Sequence, residues 1–277
     1  MKIIKSQAVS PFGGINFVIK EAIDLKINTL LNNNLPSLPT QSQYNWFDIF
    51  MSYWSVFFCG GDCAEDLSIN IKKGLTANPF IKVPSPDRIL ERIKSLSDGT
   101  QKFTTKRGEK DHQFSLAEEM NRLNLKMLSL LPGFHKKDVV LDYDNTIIVT
   151  EKADARMTYK KGFGYFPGVG MVGRHTVFVE NRNGNSAAHI MQHETIERMA
   201  ALLNEAGVTI DVIRADSASY NYETIKAMEK TANRIFIRAR MTQTLEEAIS
   251  NIKEWDEIKI GEEILLRGST TFVPFER

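Results

Sequence analysis

Apolar positions recur at helical spacing in the first part of the chain and at strand spacing after Lys137. Following Pro11-Phe12-Gly13-Gly14, residues Ile15, Val18, Ile19, Ala22, Ile23, Ile27, Leu30 and Leu31 mark one face of a helix. Asn32-Asn33-Asn34-Leu35-Pro36 ends it. A second, strongly apolar helix is expected over 46–58, stopped by Gly60-Gly61, and a short one over 64–73. In Pro84-Ser85-Pro86-Asp87, Ser85 is a natural N-cap, Pro86 suits the first helical position and Asp87 complements the positive end of the dipole. Ser115-x-x-Glu118 has the form of a capping box opening a helix to about residue 131. Residues 1–135 therefore read as a helical region.

The run Val139-Val140-Leu141-Asp142-Tyr143-Asp144-Asn145-Thr146-Ile147-Ile148-Val149 reads instead as a buried strand, rich in β-branched residues. Alternation puts Asp142 and Asp144 on one face and Leu141, Tyr143 and Asn145 on the other. Two further strands are expected over 159–167 and 175–180, with glycine-rich 168–173 connecting them. Asn183-Gly184-Asn185 turns the chain into a helix over 186–206, which Gly207 ends. A fourth strand over 208–214 delivers Asp216 at its end. A helix over 222–232, a strand over 235–237 and a helix over 245–255 follow. Three strands, then helix, strand, helix, strand is the order of a ribonuclease H-like fold, in which the first and fourth strands are neighbours and Asp144 can face Asp216. The expected class is thus α+β or α/β, a helical amino-terminal region followed by a mixed sheet with flanking helices. Strands are also expected over 258–260, 264–266 and 271–273. The regions are 1–135, helical, 136–256, the mixed sheet with its helices, and 257–277, a run of short strands.

Composition narrows the chemistry without choosing it. The chain has 277 residues, 42% hydrophobic and 25% charged, with a net charge of +1. Any contact with a polyanion must therefore come from local basic patches rather than a global field. Cys59 and Cys63 are the only cysteines. They are too few for a four-thiolate zinc site and read as reduced thiols of a cytoplasmic protein. No uncharged run approaches the ~20 residues of a membrane span. A carboxylate in an apolar strand costs roughly several kcal/mol of desolvation unless it is compensated, and a metal ion compensates it. Candidate phosphate contacts are Arg88, Arg92 and Lys94 on one helix face, and Lys102, Lys106, Arg107 and Lys110 in a polar connector. His189 and His193 are spaced one helical turn apart, but nothing nearby completes a metalloprotease pattern. Gly162, Gly164, Gly168, Gly170 and Gly173 suit tight turns and close backbone approach better than a phosphate loop.

A set of short motifs resembles the bacterial insertion-sequence transposases of the DDE type. They run in family order along nearly the whole chain: Ser10-Pro11-Phe12-Gly13-Gly14, Gly60-Gly61-Asp62-Cys63-Ala64-Glu65-Asp66-Leu67, Pro84-Ser85-Pro86-Asp87, Leu141-Asp142-Tyr143-Asp144-Asn145-Thr146, Lys161-Gly162-Phe163-Gly164-Tyr165-Phe166-Pro167, Arg182-Asn183-Gly184-Asn185 and Arg214-Ala215-Asp216-Ser217-Ala218. The resemblance implies a ribonuclease H-like catalytic domain in which two aspartates and a glutamate hold two divalent ions, usually Mg²⁺, with Mn²⁺ able to substitute. It also implies DNA partners, namely transposon terminal inverted repeats and target DNA, and a homodimer in the synaptic complex. The reaction implied is phosphodiester cleavage and strand transfer, which two metals serve by assisting both the attacking and the leaving oxygen. By resemblance the first ligand is Asp144, with Asp142 as the alternative, and the second is Asp216. Asp211 falls mid-strand and is expected to form a polar partnership on the other side.

The pattern departs from the family at the third acid. In the family that glutamate lies on a helix that commonly follows a β-rich insertion, of which 257–277 looks like the start. The resemblance makes 1–135 the DNA-binding region and 136–256 the catalytic core, and Glu246 and Glu247 come too early for the third acid. The expectation is a carboxyl-terminally truncated transposase lacking its third ligand. A second reading is a non-catalytic DNA-binding remnant. A third comes from Asp142-x-Asp144-x-Thr146, which resembles the first motif of haloacid-dehalogenase-like phosphatases. The consecutive strands after Asp144 argue against it.

Overall fold

The structure is a computed structural model and describes residues 11–97, 99–104 and 111–273. The helical region begins with α1 (Ile15–Asp24) and α2 (Ile27–Asn34), continues through α3 (Trp46–Phe58), a π-turn over Leu67–Ile71 and α4 (Lys72–Thr76), and reaches α5 (Pro86–Lys94). The single helix expected from Ile15 to Leu31 is broken at Lys26, which takes a left-handed φ of 59°. The break lets Leu31 join Ile15 and Ile19 in one core with Phe47, Phe50 and Leu67. Helix α3 starts at a reciprocal capping box: Asp48 N–H donates to the Asn45 side chain, and Asn45 N–H donates back to Asp48. Helix α5 starts as expected, with Ser85 capping Arg88 N–H and Pro86 at its beginning.

The region to residue 135 is not wholly helical. Strands β1 (Gln101–Thr104) and β2 (Asp111–Ser115) form an antiparallel hairpin, and α6 (Glu118–Leu128) follows. Ser115 is a strand residue, so the expected capping box does not form. Ala117, left-handed, precedes α6 without a side-chain cap. The reason is tertiary: Phe114 is buried beneath the Arg182 guanidinium, 4.2 Å from its ring centre, and this contact draws the segment into the sheet.

The remaining strands are β3 (Val139–Asn145), β4 (Ile148–Val149), β5 (Arg156–Met157), β6 (Phe163–Tyr165), β7 (Gly168–Val172) and β8 (His175–Arg182). They are followed by α7 (Gln192–Glu205), β9 (Ile210–Ala215), α8 (Tyr222–Thr231), β10 (Arg234–Ile237), α9 (Gln243–Ser250), β11 (Asp256–Ile260) and β12 (Glu263–Arg267). The main sheet has seven strands in the order β1-β2-β8-β7-β3-β9-β10. β3, β7 and β8 are antiparallel neighbours, whereas β9 and β10 run parallel to β3. This mixed sheet with flanking helices is compatible with a ribonuclease H-like fold, and the fold class agrees with expectation. The antiparallel return of β7 directly beside β3 does not suit the parallel α/β chain that the phosphatase reading requires.

Two strand expectations are corrected. Residues 159–167 do not supply the second strand of the main sheet. β6 pairs instead with β4 and β5 in a separate three-stranded side sheet. The glycine-rich run expected to be a connection is itself the second strand, β7. Glycine is required there, because a Cβ on Gly168 would lie 2.3 Å from the Tyr143 hydroxyl and one on Gly170 2.4 Å from Met199 Sδ. The first strand is also shorter than 139–149 and is buried on one face only. Val139, Leu141 and Tyr143 enter the core with Phe178, Ile196, Met199, Leu203 and Ile213, while Val140, Asp142 and Asp144 line the open face. These carboxylates are therefore tolerated without full desolvation. The β11–β12 hairpin forms as expected, but no strand forms over 271–273.

No helix among the described residues is long and apolar enough to cross a membrane. Cys59 is half-buried, Cys63 is exposed, and neither forms a disulfide.

Candidate functional site at the ends of two parallel strands

β3 and β9 run parallel, with Tyr143 opposite Ala215, so the next residue on each, Asp144 and Asp216, emerges at the same end of the sheet. Both line one pocket of about 460 Å³. The Asn145 N–H donates to Asp144 Oδ1 at 2.7 Å, and the Ala218 N–H donates to Asp216 Oδ1 at 3.0 Å as Asp216 caps a short 3₁₀ turn over Ser217–Ser219. Each carboxylate thus has one oxygen oriented by backbone. Partial burial at the pocket floor holds the Asp144 carboxyl above its usual range. The Asp216 charge adds to this rise, and the Asn145 N–H opposes it.

Asp142 shares the face of Asp144 but not the pocket lining. Arg214, its register partner on β9, donates Nε to Oδ1 at 2.5 Å and an Nη to Oδ2 at 2.7 Å, so both its oxygens are engaged. Asp211 pairs with Arg234 and Asn233 at the β9–β10 edge, as expected of a structural partner.

The other expected residues lie elsewhere. Arg88 pairs with Glu91 at 2.7 Å, and Arg88 and Arg92 line a second hollow with Pro39, Gln41 and Tyr44. Lys94 closes the last turn of α5. Lys106, Arg107 and Lys110 lie outside the described residues. His189 and His193 do not share a helix turn, because α7 starts only at Gln192. His189 lines the Asp144 pocket from the preceding turn. Its pKa is lowered by partial burial, and then by the Arg240 charge. Arg240 is held there by donating Nε to the Ser217 carbonyl at 3.1 Å.

Residues that sequence patterning did not single out also line the pocket: Thr158, Tyr159 and Asn185 among them. Asn185 lies in the Asn183-Gly184-Asn185 motif, where it reads as a turn residue. No local pattern marks Thr158. Behind the pocket, Glu180 is fully buried between Arg182 and Arg198 and accepts from Thr195 Oγ1 at 2.8 Å, locking β8 to α7. Arg182 in turn donates to the carbonyls of Ala188 and Ile190, and this orders the turn that carries His189.

Among the described residues, no three His, Cys, Asp or Glu side chains gather into a metal-holding group. Asp144 and Asp216 stand as a pair. Chemically, two hard carboxylates whose like charges oppose each other favour a divalent cation with oxygen preference over a soft metal.

No protein-family model and no curated protein matches the sequence. A solved structure that does match is the Drosophila P element transposase strand transfer complex, at 13% identity and a TM-score of 0.36. The match covers 91% of this chain and 53% of that one, so the chain spans about half the length of the protein it resembles. The likeness is too distant to assign anything to this chain.

Proposed function

We propose that the chain is the DNA-handling part of a DNA transposase, in which Asp144 and Asp216 together hold Mg²⁺, or Mn²⁺ in its place. The reaction class is phosphodiester cleavage and strand transfer at the ends of an insertion sequence. One observation carries the reading: two carboxylates from adjacent parallel strands share one pocket, and their mutual repulsion helps to raise Asp144. A bound divalent ion would relieve that repulsion. When bound, it would stabilise charge on the phosphate and activate the attacking oxygen.

The residues fit such an ion in number and kind. Mg²⁺ is commonly held by one or two carboxylates, with water and substrate phosphate filling the other positions. Asp142 is the weaker candidate, because Arg214 occupies both of its oxygens. The chain's own contribution is orientation. Backbone N–H groups fix one oxygen of each aspartate, and the Glu180–Arg182 network holds the turn beside them.

A second reading is a DNA-binding transposase remnant that does not cut, in which Asp144 and Asp216 stand as a pair in the pocket. The division into a helical DNA-binding region, a catalytic core and a β-rich start at 257 belongs to the same proposal. The test is Mg²⁺- or Mn²⁺-dependent nicking of DNA carrying the element's terminal repeats. Nicking lost in both Asp144→Asn and Asp216→Asn supports the first reading. Salt-sensitive binding without nicking supports the second. Neither binding nor nicking overturns both.

A further inference from the structure

The part of the pocket lining that does not carry the carboxylates has a chemistry of its own. It is built by the side sheet and by the turn around Gly184. A Cβ on Gly184 would lie 2.4 Å from the carbonyl oxygens of both Arg156 and Gly164, so the side sheet sits directly on the backbone of this turn. The Gly184 N–H donates to the Gly164 carbonyl at 3.1 Å, and Tyr165 bridges to Asn183. The wall is therefore tied to the main sheet through backbone.

Two side-chain atoms in this wall, Thr158 Oγ1 and Asn185 Oδ1, are buried with no hydrogen-bond partner, and both residues line the pocket. Thr158 is only 4% exposed. Buried polar atoms in native proteins are nearly always paired, so two orphans in one pocket wall mark where a ligand supplies the missing partner. Beside them Tyr159 is 71% exposed, and its ring meets Phe166 nearly edge-on at 5.8 Å. Lys160, whose ammonium lies 5.9 Å from the centre of the Tyr159 ring, and Lys161 are also exposed. No acidic residue occurs between positions 155 and 165. An exposed aromatic ring, hydrogen-bonding side chains and adjacent lysines together match the face, edge and phosphate of a nucleotide. The pocket volume of about 460 Å³ lies within the range of small-ligand sites.

We propose that this wall is a nucleobase subsite that takes one unpaired nucleotide of a DNA strand, stacked on Tyr159 with its polar edge toward Thr158 and Asn185. The inference rests on the DNA reading above and deepens it. The base must leave its partner, because only an unstacked base offers both face and edge. Its backbone then runs toward Asp144 and Asp216.

The test uses the full chain and short duplexes carrying 2-aminopurine, either as a single protruding terminal nucleotide or at an internal paired position. Anisotropy reports binding, and 2-aminopurine fluorescence reports stacking. The expected result is quenching of the protruding label only. Tyr159→Ala should abolish that quenching and bind the protruding-end duplex about tenfold more weakly, and Tyr159→Phe should restore both. The exposed position of Tyr159 leaves folding intact in either variant. Binding of both duplexes without selective quenching, or a Tyr159→Ala protein equal to wild type, overturns the subsite and leaves the DNA reading standing. Equal quenching of the free 2-aminopurine deoxynucleotide overturns the assignment to a DNA strand. Failure to bind either duplex overturns the subsite together with the DNA reading.

Discussion

Asp144 is the residue on which the site turns, and its environment makes a signed prediction. Its folded-state pKa is raised, first by partial burial and then by Asp216. The folded protein therefore favours the protonated form, and stability contributed at low pH is lost as pH rises from the ordinary carboxylate value of about 3.9 through the raised one. In metal-free buffer at neutral pH, Asp144→Asn should melt at a higher temperature than wild type, and the gap should close below about pH 3.9. Melting curves across pH check this, and a constant gap would contradict it. The same substitution should cost nicking activity at least about 100-fold, since a metal supplies several kcal/mol of transition-state stabilisation. Asp142→Asn should leave metal binding nearly unchanged, because Arg214 already holds that side chain. At this scale Asp216 is marked as the acid delivered at the end of its expected strand, whereas Asp144 sits inside the run 139–149 and is preferred to Asp142 only by resemblance. Thr158 could not be read from sequence, because its place in the pocket depends on a side sheet that no local periodicity announces.

At the scale of elements, the helices were legible where their ends carry capping chemistry and obscure where tertiary contacts decide. Ser85 marks the start of α5 and Gly60-Gly61 the end of α3, while the Asn45–Asp48 capping box that starts α3 was not singled out. Ser115-x-x-Glu118 misleads, because the burial of Phe114 under Arg182 outweighs the local capping preference. The glycine-rich β7 was hidden because strand propensity scores glycine poorly, whereas packing against Tyr143 and Met199 demands it. Gly168→Ala should therefore destabilise by about 1–3 kcal/mol through overpacking against Tyr143, as read by urea unfolding. The junction of β8 and α7 predicts a larger effect. Glu180→Ala strands the fully buried Arg182 charge and should cost about 3–5 kcal/mol in the same measurement. A loss under about 1 kcal/mol would show that the network is not what joins these elements.

At the scale of the molecule, the fold gathers the pocket's side chains from distant parts of the sequence: Asp144 from the first core strand, Asp216 from the end of the fourth, and Thr158 and Asn185 from the excursion and turn between them. The neighbouring of β3 and β9 was expected from the ribonuclease H-like order of elements, which does not by itself fix the pairing, and the parallel register of the two strands shows it. That order did not anticipate the β1–β2 hairpin that extends the same sheet at its far edge, since pairing between β2 and β8 is long-range. The measurement that tests the central claim most directly is Mn²⁺ binding by calorimetry to the wild-type chain and to Asp144→Asn and Asp216→Asn. Binding weakened at least about tenfold by either substitution, and unaffected by Asp142→Asn, is the predicted result. Equal Mn²⁺ affinity in wild type and both single variants would contradict the claim that these two aspartates hold the metal.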